Sequence, residues 1–394
     1  MMLFGALLAL GSALSILIYS WICSRKLLRL QNVAPCREDG CDGAPLVSVI
    51  IPACNEGEHI GKALATLLDQ QYPSLELVVI NDRSTDNTGE VIEQFATLYP
   101  QLNALHVDTL PGGWLGKNHA LHLGASHASG EYLLFTDGDI RFEKTTIARA
   151  IQWVKAQQLD HLTLLFKNTT PGGLLNAVIV EAMTGLLLLL QPWKVSDPRS
   201  KYFIGIGAFN LIRRDTYQAI GGHARNPMHP IDDIILGKTV KQAGFRQGCL
   251  RGEQFISVNW YGDLREMVEG LMKNVFAFYN FNIFYSLSGA AVIIGFSLLP
   301  FWGMLLLDGP AQIVCMGAVC CRWCAFMVNA RGMLVSLRCS LFAPLAPYFL
   351  LYISLRATVV TLKNKGIWWR GTFYSLRALQ NIEPIITLRW LLPW

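Results

Sequence analysis

Leu46-Val47-Ser48-Val49-Ile50-Ile51 is a short, mostly apolar run that stops at Pro52 and passes directly into Ala53-Cys54-Asn55-Glu56. A run of this length, closed by a turn signal, reads as a buried strand. Outward from it the same alternation continues. Gly57 to Gln70 places Ile60, Leu64, Leu67 and Leu68 on one helical face, and Leu75 to Ile80 is the next strand. A turn at Asp82 to Asn87 then leads into a helix through Leu98. Leu102 to Val107, Glu131 to Phe135 and Gly207 to Ile212 predict further strands, with helical patterns between them. Strands alternating with helices predict an α/β fold with a mostly parallel, doubly wound sheet. In such sheets ligands sit beyond the carboxyl ends of the strands. Chemistry is therefore expected in the loops after Ile51, Ile80 and Phe135.

All three loops carry acidic or amide side chains. The second reads Asn81-Asp82-Arg83-Ser84-Thr85-Asp86 and the third Thr136-Asp137-Gly138-Asp139. Carboxylates at three successive strand ends converge on one crevice, and that much like charge is costly without a cation or a donor. In Asp137-Gly138-Asp139 the glycine lets the backbone turn sharply while two carboxylates project. Hard divalent cations such as Mg²⁺ take ligands of this kind, with substrate phosphates completing the shell. Alone the triplet is an ordinary turn; after an apolar strand and beside the other two loops it predicts a site.

In these motifs the chain resembles the family 2 glycosyltransferases, whose catalytic domain has the Rossmann-like GT-A fold. The resemblance covers residues 46–275. It implies that Pro52, Asn55 and Glu56 of a P-x-x-N-E loop, together with Asp82 and Ser84, hold a nucleotide-sugar donor. It also implies that Asp137 and Asp139, matching the D-x-D motif, bind the diphosphate through Mg²⁺ or Mn²⁺. Gly113-Trp114-Leu115-Gly116-Lys117-Asn118-His119-Ala120 resembles a stretch of the lipid-modifying members, with Lys117 expected to reach the diphosphate. Asp232-Asp233 resembles the family's E-D pair with Asp in place of Glu, and the second acid, Asp233, maps to the catalytic base. A base within hydrogen-bond reach of the acceptor hydroxyl is what an inverting transfer requires. The other reading of two acids at a helix start is capping favoured by the dipole. Gly207, in Gly205-Ile206-Gly207-Ala208-Phe209-Asn210, and His223, after Gly221-Gly222, resemble acceptor-side elements; contact with phosphate or acceptor is expected there. Processive members, such as cellulose and hyaluronan synthases, carry Q-x-x-R-W after the base. Here Arg265 to Asn274 reads REMVEGLMKN, which argues against polymer synthesis.

Composition sets the frame around this domain. Of 394 residues, 52% are hydrophobic and 15% charged, against about 25% charged in soluble chains. Mean hydropathy is +0.34. The formal charge of +5 is scattered, with no basic run, and excludes a nucleic-acid binder. Ten cysteines do not form a secreted framework; Cys321 and Cys324 have C-x-x-C spacing but no second pair completes a metal set. Residues 1–24 are uncharged and predict an uncleaved transmembrane anchor rather than a signal peptide. Arg25, Lys26 and Arg29 follow, placing that end in the cytoplasm. A linker with Pro35, Gly40, Gly43 and Pro45 fills 25–45.

After the domain, residues 276–362 predict a membrane block of about three transmembrane or re-entrant segments: Ile283 to Leu307, Pro310 to Val328 and Leu341 to Leu362. The basic residues Arg331, Arg338, Lys363, Lys365 and Arg370 place both flanks of the last segment on the cytoplasmic side, so that it either breaks the rule or, with Pro344 and Pro347, is re-entrant or interfacial. Residues 363–394, rich in Trp, predict an amphipathic aromatic tail at headgroup level. Leu174 to Leu190, interrupted by Glu181, is expected on the membrane surface or in the core of the domain. A single anchor, the domain, the block and Trp368-Trp369-Arg370-Gly371-Thr372 most resemble glycosyltransferases of hopanoid and carotenoid pathways.

These features predict a multi-pass protein of the cell (inner) membrane with its catalytic domain in the cytoplasm. Its expected activity is transfer of a single sugar from a nucleotide donor to a lipid acceptor. The competing enzyme classes are a polyprenyl-phosphate sugar transferase and a polysaccharide synthase. A channel would carry charges inside its spans, which here are almost absent. A catalytically degenerate scaffold would have lost carboxylates, yet Asp82, Asp137, Asp139 and Asp233 are all present.

Overall fold

The computed structural model describes residues 2–35 and 43–385, so Gly40 of the linker and Trp390 and Trp394 of the tail lie outside the described residues. The chain divides into two compact units: Leu27–Lys167 with Pro192–Asn259, and Met1–Lys26 with Asn168–Gln191 and Trp260–Trp394. These units cut the chain differently from the boundaries expected of the sequence. Residues 168–191 and 260–275 group with the helical unit rather than with the sheet.

The sheet unit is built on seven strands: β1 (Val47–Ala53), β2 (Leu75–Asp82), β3 (Leu102–Val107), β4 (Tyr132–Phe135), β5 (His161–Leu165), β6 (Asn210–Arg213) and β7 (Gln247–Arg251). Their order is β3-β2-β1-β4-β6-β5-β7. β1 runs parallel to β2 and β4, β2 to β3, and β5 to β7, whereas β6 is antiparallel to both β4 and β5. Every residue of β1 is buried, as its apolar run requires. Register places Pro52 opposite Ile80 and Ala53 opposite Asn81, so the first two loops leave the sheet side by side. Helix Gly116–His127 lies against β1 and β2, where Gly124 permits the approach: a Cβ there would sit 2.5 Å from Ile50 Cγ2 and 2.7 Å from Ile80 Cδ1. The core below joins Ile50, Val78, Ile80, Leu121, Leu133 and Phe135 with Leu236 and Val240 of helix Asp232–Gln242.

The other unit is helical. Among the described residues, four helices are long and apolar enough to cross a membrane: Met2–Lys26, Gly173–Lys194, Ile283–Leu306 and Gly309–Gly332. The third contains a π-helical turn at Ile294–Leu298. Ala346–Lys363, which the sequence left open between a span and a re-entrant segment, is a helix of 18 residues. Helix Met2–Lys26 buries Ala6, Ala9 and Ala13 and packs along Gly309–Gly332, which buries Cys315, Ala318 and Ala325. Small residues let two backbones approach closely, the packing mode that works where no water is available to drive association. Phe4, Leu7, Leu8, Phe284, Leu305 and Ile313 remain exposed, the pattern of surfaces solvated by lipid.

Helix Gly173–Leu190 is an integral part of this unit, not of the sheet unit's core. Leu175, Val178 and Ile179 pack with Phe326, Ala330 and Ile353. Its Glu181 pairs with Arg322, and Asn329 Nδ2 donates to both Ser20 Oγ (3.0 Å) and Thr184 Oγ1 (2.8 Å), joining three helices. Cys321 and Cys324 are free thiols. The start of the expected tail is a hairpin, Gly366–Trp369 with Thr372–Ser375, whose Trp368 and Phe373 face each other across the strands and are exposed.

The pairing of Glu181 with Arg322 has a thermodynamic signature. Removing one partner of a buried pair strands the other charge, whereas replacing both with apolar groups is often near neutral. Arg322→Met is expected to destabilise the detergent-solubilised protein by up to about 3 kcal/mol, with the double Glu181→Met/Arg322→Met variant recovering most of that loss. Thermal unfolding of the three proteins checks this; a double variant worse than the single would show that the two charges do not act as a pair.

Candidate active site

The three loops at the carboxyl ends of β1, β2 and β4 meet as the sequence predicts. Asn55 sits in the left-handed region (φ 56), which Asn tolerates better than most residues. Its N–H donates to Ser84 Oγ at 3.0 Å and its Oδ1 accepts the N–H of Thr85 at 2.8 Å. Glu56 N–H donates to Thr88 Oγ1 (2.8 Å) and Gly57 N–H to Asp86 Oδ2 (3.1 Å). The P-x-x-N-E loop and the second loop are thus stitched into one surface, and Pro52 lies beneath it within β1.

Asp82 ends β2 and is 2% exposed. Both its oxygens are held by the neighbouring Arg83, Nε to Oδ1 at 2.8 Å and Nη2 to Oδ2 at 3.0 Å. Arg83 also has a positive φ (56), which turns its side chain back onto its own neighbour. Gly116 closes the other side: a Cβ there would lie 2.5 Å from Asp82 Oδ2 and 2.4 Å from Arg83 Nη2. Neither Arg83 nor Gly116 was singled out from sequence. The signal for the first was a charge-paired neighbour of a key acid, and for the second a glycine one residue before the key lysine.

Lys117 follows Gly116 in the first turn of its helix. Leu115 N–H donates to Pro227 O (2.9 Å), and Asn118 Nδ2 lies 3.2, 3.1 and 3.0 Å from the carbonyls of Asn226, Pro227 and His229. These bonds draw the segment before Asp232 against the start of the lysine helix. Lys117 Nζ consequently reaches Asp137 Oδ1 at 2.8 Å and Asp232 Oδ1 at 3.3 Å, with its side chain 20% exposed. Burial works against the ammonium, but Asp137, Asp232 and Asp233 outweigh it and hold the Lys117 pKa above its ordinary value.

Asp233 Oδ2 accepts the N–H of Gly207 (2.7 Å) and Oδ1 that of Ile234 (2.8 Å). Burial first, then Asp232, push its carboxyl up to about 7. Asp139 is likewise pushed up to about 7, by burial, then by Asp137 and Glu56. The structure therefore brings together Glu56, Lys117, Asp137, Asp139, Gly207, Asp232 and Asp233. His223 lies deeper: it is buried edge-on to Phe135, with the Tyr217 hydroxyl 2.9 Å from its Nδ1. Burial, then the charges of Lys117 and His122, lower its pKa to about 3, so the ring is neutral.

Among the described residues no three His, Cys, Asp or Glu side chains form a self-sufficient metal site. The donor set nonetheless suits a hard cation that takes part of its shell from a substrate. Asp137 and Asp139 offer oxygens, and the Asp139 carboxyl, raised by burial and then by Asp137 and Glu56, is an acid whose ionised form a bound cation would favour.

An acid-lined crevice at the strand ends of a mostly parallel sheet, with a D-x-D turn and an acidic pair at a helix start, defines a GT-A glycosyltransferase domain. Residues 48–220 match Glycosyl transferase family 2, and the chain carries a domain of that family. A curated relative, 4,4'-diaponeurosporenoate glycosyltransferase of Staphylococcus aureus (strain USA300), is 27% identical over 239 residues. The match covers 58% of this chain and 60% of the relative's length. Among solved structures, a mannosyltransferase from Pyrobaculum calidifontis in complex with GDP-Man and Mn²⁺ superposes with a TM-score of 0.59 at 19% identity. That match covers 93% of this chain and all of the other, and shows the shared fold.

Gly207 sits beside both acid sets. A Cβ there would lie 2.9 Å from Asp137 Oδ2, 3.5 Å from Asp233 Oδ2 and 3.6 Å from Lys117 Nζ. Displacement of catalytic groups by about 1 Å can cost about 10²-fold in rate, so Gly207→Ala is expected to lower kcat by about that factor while leaving the thermal midpoint nearly unchanged. A variant with wild-type turnover would show that the contacts at Gly207 do not set the working geometry.

Proposed function

We propose that the protein is a membrane-bound, inverting hexosyltransferase that moves one sugar from a nucleotide-sugar donor to a lipid acceptor at the cytoplasmic face. The observation that carries this reading is Asp233: a partly exposed carboxylate held by two backbone N–H groups, beside the D-x-D turn. The four apolar helices in the same chain and the lipid-like acceptor in the curated relative's name support a lipid, isoprenoid or similar, as the acceptor.

In this reading the loop of Pro52, Asn55 and Glu56 and the pair Asp82 and Ser84 seat the nucleotide. Asp137 and Asp139 would hold Mg²⁺ or Mn²⁺, which when bound would neutralise charge on the diphosphate leaving group. Asp233 takes the proton of the acceptor hydroxyl as that oxygen attacks the anomeric carbon from the face opposite the diphosphate. Two adjacent helical residues point about 100° apart, so Asp232 cannot share this task; its contact with Lys117 gives it a supporting role. The raised pKa of Asp233 suits a base, because a group titrating near the working pH combines availability with strength. The lysine and the buried, neutral His223 contribute the surrounding field and the floor.

Exposing the detergent-solubilised protein to UDP-, GDP- and dTDP-sugars with Mn²⁺ or Mg²⁺, and recording donor hydrolysis and transfer to isoprenoid lipids by mass spectrometry, tests the activity. An absence of turnover with every donor would sink the reading. General-base catalysis contributes about 10²- to 10⁴-fold, so Asp233→Asn is expected to lower kcat by that much with donor affinity little changed. Asp232→Asn is expected to be milder.

The pH profile follows with a definite sign. A base must be unprotonated, so kcat rises with pH through a limb near 7, the value to which Asp233 is pushed, and is lost below it. Asp233→Asn is expected to flatten that limb in the residual activity. A limb that persists unchanged in the variant would assign the titration to another group.

A further inference from the structure

Two acid sets face each other across Lys117. Its ammonium lies 2.8 Å from Asp137 Oδ1 and 3.3 Å from Asp232 Oδ1. The D-x-D aspartate therefore already has a cation, supplied by the protein. A divalent cation bound through Asp137 and Asp139 would have to share that oxygen with the ammonium or sit within a few ångströms of it. Repulsion at such distances is strong in a partly buried site. The lysine is also free to leave. It has a flexible four-carbon stem, its side chain is not sealed from solvent, and the residue opposite, Gly207, has no side chain to block its path. It stands in the first turn of a helix, where backbone N–H groups and the dipole favour an anion.

We propose that Lys117 is a counter-ion switch that couples metal binding to donor binding: it neutralises Asp137 and Asp232 in the empty protein and passes to the donor diphosphate, freeing Asp137 for the divalent cation. The inference rests on the reading of this crevice as a nucleotide-sugar site. It goes beyond a diphosphate contact, because it makes the metal site incomplete until the nucleotide arrives. Mn²⁺ alone is then bound weakly, and Mn²⁺ with a nucleoside diphosphate tightly.

The test is a titration of the full-length protein in detergent with Mn²⁺, followed by the electron paramagnetic resonance signal of free Mn²⁺, with and without UDP, GDP or dTDP. No turnover is needed. In the wild type a nucleoside diphosphate is expected to tighten Mn²⁺ binding by about tenfold or more, and Lys117→Met is expected to tighten binding of Mn²⁺ alone by a similar factor, because a repelling charge is gone. The nucleotide effect should shrink in that variant. Lys117→Arg keeps the charge and should behave like wild type without nucleotide, and Lys117→Gln serves as the neutral variant if Lys117→Met does not fold. Binding of Mn²⁺ alone that is unchanged or weaker in the neutral variants would overturn the switch and leave Lys117 as a fixed clasp, while nucleotide binding in the same experiment would leave the donor-site reading standing. Failure of every nucleoside diphosphate to bind, with or without Mn²⁺, would overturn both. An absence of nucleotide coupling in the wild type would overturn the switch even if no variant folds.

Discussion

Holding carboxylates close together is the constraint on which the site depends. Glu56, Asp137, Asp139, Asp232 and Asp233 come from two loops and a helix start, and like charges at such range repel unless cations or N–H donors answer them. The compensation is uneven. Asp82, outside this group, is fully forked by Arg83, Asp232 and Asp137 share Lys117, and Asp233 holds two backbone N–H groups. Asp139 is buried beside Asp137 and Glu56, and burial first, then those two acids, drive its carboxyl up. A cation drawn to the D-x-D turn would favour the ionised form of that acid. Division of labour among chemically similar acids follows from what each one touches.

The parts legible in the sequence were those written in contiguous strings. β1 to β4 are apolar runs, and the loops after β1, β2 and β4 follow them directly, so both scaffold and candidate residues could be named. β5 and β7 were not recognised, and the reason is physical. His161 in β5 pairs with Asn210 of β6, and Gln247 of β7 donates to His161 at 2.9 Å. Three neighbouring strands therefore bury polar groups that satisfy one another across the sheet, which is stable but breaks the apolar pattern that marks a buried strand. The grip of Asn118 on the carbonyls of residues 226–229 spans more than 100 positions and has no local signature. His223 illustrates the converse, since its resemblance to an acceptor-side element implied contact with phosphate or acceptor, and its ring is packed inside.

A similar non-local cause explains the helix Gly173–Leu190. Read alone, Glu181 interrupts an apolar stretch, and Arg322 interrupts another far along the chain. Each would be costly in an apolar setting, but they form one pair within the helical unit. Charges inside apolar helices are tolerated when they face the bundle interior and meet a partner. Asn329 adds a second polar link between these two helices through Thr184 and ties in a third, Met2–Lys26, through Ser20. Where apolar faces alone would allow many rotations and registers, such directional contacts select one.

The precision of Asp233 depends on side chains that are not there. A Cβ at Gly205 would fall 1.7 Å from the carbonyl oxygen of Asp233, and one at Gly237 would fall 2.0 Å from that of Ile204. Helix Asp232–Gln242 therefore lies backbone to backbone against residues 204–207. The carboxylate is delivered by this contact and by the Gly207 N–H, and not by a long and flexible side chain reaching across a gap. At position 232, where the resembling pair carries Glu, the Asp side chain meets Lys117 at 3.3 Å. The glycine segment at 205–207 and the acidic pair at 232–233 are separate strings in the sequence but one mechanical unit in the fold. An acidic pair without glycines to receive it would start a helix well enough and would not hold the Asp233 carboxylate in this place.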